Sequence, residues 1–355
     1  MAATITNVSG GVTHGSAVTL IGNSFGAKSP AAPLVWDPCN HTVNSHVAIA
    51  SEGGWTDSIP SGGSAAGIMQ YRATPYSGIS APHTRVNKVM AGGHIGANDY
   101  YGGNNVMFWV TYTRPSFPFY SYRTFYFRAD DSWLFGGDNN FKAFDLSNGY
   151  EPYSPNDWYI TYDGPSSSSS SCSWATGSGG GIEIPDRNGH NNYWGAAVNP
   201  MAGAWTKIEC EICWTSNSPD GYIKLWENGV LRIDYAGVTD GMTGTQRSEA
   251  IGGYARIRSA ENFRYYADIY YDRSRSRVLL GNASTFSSCT VREIQIPTTW
   301  ADGSIGITVN QGVFTNGAFA WLYVVDSVGA VSVGFPVTIG GVSAPAAPTA
   351  LRITP

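Results

Sequence analysis

The sequence is short of charge. Only 13% of its 355 residues are Asp, Glu, Lys or Arg, about half the ~25% usual for a soluble domain. The net charge is -5, which excludes a globally basic nucleic-acid binder. No run of ~18 apolar residues occurs, so no candidate transmembrane helix is present and no membrane partner is expected. Cysteine is scarce. Cys39, Cys172, Cys210, Cys213 and Cys289 are few, odd in number and scattered, which is not a disulfide framework. Cys210 and Cys213 form a lone C-x-x-C, but strand residues three apart point to opposite faces, so they make no zinc site without a bulge. Helical periodicity is almost absent, and nothing recurs at a fixed period. The start, Met1-Ala2-Ala3-Thr4-Ile5-Thr6, lacks the basic stretch and apolar core of a secretory signal.

What is abundant is aromatic and turn-forming. Phe, Trp and Tyr make up 13% of the chain and Gly 43 positions, too much aromatic surface for a disordered protein. Alternating segments bounded by Gly, Asn, Asp or Pro recur throughout. Over residues 16–22, Val18 and Leu20 fall opposite Ala17, Thr19 and Ile21. Over residues 105–113, Val106, Phe108, Val110 and Tyr112 fall opposite Met107, Trp109 and Thr111. Residues 222–235 read as a hairpin about Glu227-Asn228-Gly229, since Asn-Gly supplies the positive φ angles of a tight turn. A second hairpin is expected to join residues 318–325 to 331–339 through Asp326-Ser327-Val328-Gly329. Residues 164–181, with an unbroken serine run at 166–171, read as a flexible loop, and 342–355 as an extended tail. The fold class is all-β.

The residues Ile5-Thr6-Asn7-Val8-Ser9-Gly10, then Val18-Thr19-Leu20-Ile21-Gly22-Asn23-Ser24-Phe25-Gly26, resemble the opening of IPT/TIG domains, immunoglobulin-like folds found in plexins and many bacterial surface and phage proteins. Gly26 permits the tight turn, and Phe25 can plug the end of a small sandwich. Residues 304–309, 317–325 and 334–339 resemble that family's later strands. The resemblance therefore implies an immunoglobulin-like sandwich split by an insertion, with parts at 1–36 and 278–341.

The insertion, 37–277, carries Trp205-Thr206-Lys207-Ile208-Glu209 and Asp220-Gly221-Tyr222-Ile223-Lys224-Leu225-Trp226-Glu227-Asn228-Gly229. These resemble the W-x-x-x-E strand and D-G-x-x-x-x-W-x-x-G hairpin of concanavalin-like jelly rolls in lectins, laminin-G modules and polysaccharide-active enzymes. The implied architecture is a concanavalin-like jelly-roll sandwich inserted into a split immunoglobulin-like β-sandwich.

Three kinds of chemistry can be read from such a fold. Glu209 and Glu211 share one strand face, as a glycosidase carboxylate pair would. Related glucanases carry acid-x-acid-x-acid there, and Cys213 breaks that pattern. A polysaccharide lyase needs a base beside a uronate carboxylate and an Arg or Gln to neutralise it. Candidates are His83, Arg85, His94, Arg123, Tyr126, Arg128 and His190. The Gln-x-His motif of one such lyase family is absent, and Tyr266-Ala267-Asp268 stands where that family has Lys-Ala-Gly. Carbohydrate binding needs only aromatic faces and planar polar groups. Arg264, Tyr266, Asp268 and Tyr270, read as one strand face, are its candidates, together with Arg123, Tyr126, Arg128 and His190. No cofactor is called for, calcium being the one ion that the oxygen-rich loops at 138–140 and 186–192 suit.

The expectation that follows is a non-enzymatic virion or cell-surface protein, presenting a lectin-like jelly roll to surface glycans or polysaccharide and packing against neighbouring structural subunits. The alternatives are a polysaccharide lyase or glycanase with an accessory immunoglobulin-like domain, and an assembly or capsid-decoration protein without glycan binding.

Overall fold

The structure, a computed structural model, describes residues 3–45, 55, 57–60, 68–73, 81–83, 88–94, 104–113, 115–129, 140–147, 158–163, 179–186, 189–193, 203–215, 220–237, 239, 246–256 and 262–341. Among them every regular element is a strand, apart from the single 3-10 turn Phe286–Ser288. No helix among the described residues is long and apolar enough to cross a membrane. The chain divides into two compact units, residues 1–33 with 274–355, and residues 34–273. Of the loop expected at 164–181, residues 179–181 belong instead to a strand, Gly179–Asp186, and the rest lies outside the described residues, as does the tail expected at 342–355.

The first unit is built from both ends of the sequence. Its antiparallel strands run in the order Thr4–Ser9, Ala17–Asn23, Ser304–Thr308, Arg292–Ala301, Arg277–Gly281, Phe319–Val325 and Phe335–Thr338. The strand Ala17–Asn23 alternates as expected, with Val18 and Leu20 buried and Ile21 exposed. It pairs with the distant strand Ser304–Thr308, Leu20 opposite Ile305. Val18, Leu20, Phe25, Val278, Leu280, Ile305, Ile307, Leu322, Val324 and Val337 close one aliphatic core. Phe25 is fully buried, and Gly26 has φ 73°, a left-handed conformation that glycine adopts without strain. Both backbone N–H groups of this turn are held by Asp302: Phe25 donates to its carbonyl at 3.0 Å and Gly26 to its carboxylate at 2.9 Å.

The second unit is a two-sheet jelly-roll sandwich. One sheet has seven strands, in the order Gly189–Tyr193, Gly179–Asp186, Trp158–Asp163, Asn140–Ser147, Gln246–Arg256, Asn104–Thr113 and Asp57–Pro60. The other has eight. Seven run in the order Val230–Ala236, Tyr222–Glu227, Thr206–Trp214, Phe119–Ala129, Asn262–Asp272, Lys88–His94 and Ile68–Ala73, and Val35–Asp37 also pairs with Asn262–Asp272. The hairpin read at 222–235 forms as expected. Asn228 and Gly229 take φ 48° and 77°, the two positive angles a two-residue turn needs to follow strand twist.

The sandwich is glued by polar as well as apolar groups. Arg123, on the eight-stranded sheet, pairs with Glu249 of the seven-stranded sheet, and both are nearly fully buried. Tyr112 donates its hydroxyl proton to the same carboxylate, and Tyr271 donates to Tyr112 at 3.2 Å. Burial works against the Arg123 charge, but Glu249, with Cys210, Tyr271 and Tyr112, outweighs it, so the guanidinium titrates above its ordinary value. A second buried hub is Asp37. It accepts from Trp55 Nε1 at 2.7 Å, Tyr71 hydroxyl at 2.6 Å and Cys39 N at 2.7 Å, with His41 Nε2 at 3.1 Å.

Candidate functional site

The central strand Phe119–Ala129 fixes what each face of the eight-stranded sheet carries. Strand side chains alternate, so Arg123, Phe125 and Phe127 share one face, and Tyr122, Thr124, Tyr126 and Arg128 the other. The register extends both faces across the sheet. Cys210 and Ile208 lie opposite Arg123 and Phe125, while Lys207, Glu209 and Glu211 lie opposite Tyr126, Thr124 and Tyr122. The Arg123–Glu249 pair shows that the first face is the one turned to the other sheet. The second face is the candidate site.

A β-bulge reshapes this face. Between Ala267 and Tyr270 the strand Asn262–Asp272 gains one residue over its partner, so that Ala267 faces Tyr126 and Tyr270 faces Thr124. The extra residue breaks the alternation. Arg264, Tyr266, Asp268 and Tyr270 therefore do not share a face, contrary to the sequence expectation. Arg264 and Tyr266 fall on the inter-sheet side, opposite Ala129 and Phe127. Tyr266 is fully buried against Phe125 and Phe127. Burial, only partly offset by Arg264, pushes its phenol up to about 12. Tyr270 stays on the site face, its ring 6.1 Å from Tyr122 and its hydroxyl donating to Asp272 at 3.0 Å. Asp268 sits in the bulge with φ 50°.

Around Tyr126 three reactive groups converge: His83, Asp268 and Lys207. His83 approaches from residues 81–83, its ring edge-on to Tyr126 at 6.1 Å between centroids. Its Nε2 lies 2.9 Å from Asp268 Oδ2. Lys207 Nζ lies 5.1 Å from the centre of the Tyr126 ring, a cation–π distance. Ala267, Ala81 and Trp205 supply the apolar packing around Tyr126. His83, Tyr126 and Lys207 keep 8%, 6% and 8% exposure. Half-buried Arg128 lies on the same face, and the register Gln70–Ala91–Tyr265–Arg128 brings half-buried Gln70 onto it too.

Farther along the face, Tyr122 donates to Glu209 at 3.0 Å and Tyr222 to Glu211 at 2.6 Å. Glu209 and Glu211 thus share a face as expected, each committed to a tyrosine. Cys210 and Cys213 take opposite faces, opposite Arg123 and Tyr120, and both are free thiols. Burial pushes the Cys210 thiol up to about 12. Among the described residues no three His, Cys, Asp or Glu side chains gather as a metal site would require.

The sequence candidates therefore separate. Tyr126, Arg128, Asp268 and Tyr270 come to or beside the site face. Arg123, expected to contact glycan, is instead held between the sheets by Glu249, because it shares strand parity with Phe125 and Phe127. Arg264 and Tyr266 are likewise interior. His190 lies in the edge strand Gly189–Tyr193 of the other sheet, opposite Pro185. The loop 186–192 is described only in part, and Arg85 and Asp138 lie outside the described residues. Sequence reasoning gave Lys207 no role, and it missed Gln70. The alternation Gln70-Tyr71-Arg72, with Tyr71 buried and its neighbours half-buried, was the available signal.

No family model matches the sequence, and no curated protein matches it. Solved structures do. A glucuronan lyase from the fungus Trichoderma reesei is similar over 65% of this chain and 94% of its own, at 14% identity and TM-score 0.42. An alginate lyase is similar over 68% and 98%, at 8% identity and TM-score 0.45. A lectin complexed with galactose is similar over 52% and 89%, at 8% identity and TM-score 0.34. Polysaccharide lyases recur among these structures, against the expectation of a non-enzymatic protein. The likeness is one of fold, and the chemistry has to come from the site itself.

Proposed function

We propose that the second unit is a polysaccharide lyase that cleaves a uronate-containing polymer by β-elimination. The observation that carries this reading is the convergence of His83 and Lys207 on Tyr126. Elimination needs three groups near one sugar ring. A base removes the proton on the carbon next to the carboxylate. A cation or amide draws off the charge that builds on that carboxylate. An acid protonates the departing glycosidic oxygen. His83 is the base and Tyr126 the acid. Lys207, with Arg128 and Gln70 on the same face, meets the carboxylate. The carbon–hydrogen and carbon–oxygen bonds break, a carbon–carbon double bond forms, and no water is consumed.

Hydrolysis is the weaker reading, since Glu209 and Glu211 are each engaged by a tyrosine hydroxyl. The first unit is inferred to be an immunoglobulin-like accessory module of the IPT/TIG kind. The buried Phe25, the left-handed Gly26 and the pairing of Ala17–Asn23 with Ser304–Thr308 support this. An extracellular place of action fits a polymeric substrate.

The test is incubation of the whole chain with polyuronates and uronate-bearing heteropolysaccharides, followed by ultraviolet absorbance and product mass. An unsaturated uronate at the new chain end is expected. Saturated ends carrying an added water would establish hydrolysis and overturn the lyase reading, as would a panel left uncut.

A further inference from the structure

The bulge residue Asp268 has a property that glycan contact does not explain. Its backbone lies in the left-handed region, φ 50°, which glycine, asparagine and aspartate tolerate and most residues do not. Its carboxylate is nearly buried and lies 2.9 Å from His83 Nε2, with side-chain exposures of 3% for His83 and 5% for Asp268. The two residues are 185 positions apart in the chain, so the contact is made by the fold and not by local sequence.

A carboxylate only accepts, so Nε2 is the nitrogen that donates. His83 Nδ1 is buried and has no hydrogen-bond partner among the described residues. One ring nitrogen is thus spoken for, and the other keeps its lone pair, in a ring packed edge-on to Tyr126. Which ring nitrogen carries the proton is set by the hydrogen bond the other residue offers.

We infer that Asp268 is a positioning residue that fixes the His83 tautomer, so that Nδ1 is the atom that takes the substrate proton. The inference rests on the lyase reading for its chemistry, but not for its geometry. The bulge provides the left-handed backbone, and the aspartate at that point turns a strand irregularity into an orienting group. Asp268 touches the histidine and leaves sugar contact to the groups around it.

The test uses two variants of the full chain. Asp268→Gly accepts the left-handed backbone and removes the carboxylate. Asp268→Asn also accepts that backbone, and its side-chain oxygen still accepts from Nε2. Ring-nitrogen chemical shifts of 15N-histidine-labelled protein, with His83 assigned by its absence in His83→Asn, read the tautomer directly. Wild type and D268N are expected to show one tautomer protonated on Nε2, and D268G a mixture. In turnover, D268G is expected to lose about 10- to 100-fold in kcat with KM nearly unchanged, while D268N stays within a few-fold of wild type. A D268G protein with the wild-type tautomer would overturn the inference. So would a D268N protein as slow as D268G while its tautomer is intact. The shifts need no activity, so a wild type that cuts no polymer yet shows the Nε2 tautomer lost in D268G would sink the lyase reading and leave the positioning role standing.

Discussion

The two units place their ionic buried contacts differently. In the first, the buried side chains of Gln295, Gln311 and Asp326 bond to backbone, Gln311 also to the Asn316 side chain. Gln295 donates to Asn310 O at 2.8 Å and accepts from Asn310 N at 3.1 Å. Gln311 donates to Phe314 O at 2.9 Å, and Asp326 accepts from Val328 N and Ala330 N, each at 2.9 Å. In the second, buried side chains also pair with one another: Arg123 with Glu249, Asp37 with Trp55 and Tyr71, His83 with Asp268. A side chain that closes a turn or extends a strand has spent its polarity on the fold. A side-chain pair under burial keeps a strong local field and reactive atoms, and that is where a site can be built.

This contrast can be broken experimentally, beginning with the largest effect. Glu249→Ala removes the counter-charge of buried Arg123, and is expected to cost about 3–5 kcal/mol. Hydrogen exchange should then rise through the strands Phe119–Ala129 and Gln246–Arg256. Arg123→Met with Glu249→Leu should recover most of that loss in denaturant unfolding. An E249A protein within about 1 kcal/mol of wild type would mean that the inter-sheet pair contributes little. In the first unit, Gln295→Ala uncovers a buried backbone donor and acceptor, and is expected to cost about 1–3 kcal/mol.

Titration offers a further test within the second unit. The Cys210 thiol rises from 9.0 to about 12 by burial, and Tyr266 is also raised. The unfolded chain releases these protons first, so their contribution to stability is complete below about pH 9 and is lost as pH climbs toward 12. Cys210→Ala should flatten that decline in urea midpoints measured across the range. If the midpoint falls just as steeply in C210A, the thiol is not a source of the decline. The smallest expected effect is at the hairpin. Gly229 has φ 77°, and Gly229→Ala should cost about 1 kcal/mol in the thermal transition.

Legibility in the sequence followed local spacing rather than the division into units. The alternation of Val18 and Leu20, the Asn228-Gly229 turn and the shared face of Glu209 and Glu211 were all readable, because each depends on local spacing. The bulge at Ala267–Tyr270 was not, because one extra residue inverts the parity of everything beyond it. Its trace was present: Asp268 stands where the resembled lyases have glycine, and its backbone takes a conformation suited to glycine. Arg123 was misread as a ligand contact because charge on an aromatic strand looks functional. Its parity with Phe125 and Phe127 already pointed inward. His83 was readable as a candidate base, but its pairing with Asp268 across 185 residues belongs to the fold alone.

The most direct test of the account is the initial rate at which wild type, His83→Asn and Tyr126→Phe release unsaturated uronate ends from a polymer that wild type cleaves. The account predicts that each variant loses about 100-fold or more while its melting temperature stays near that of wild type. A His83→Asn protein that turns over at the wild-type rate would contradict it.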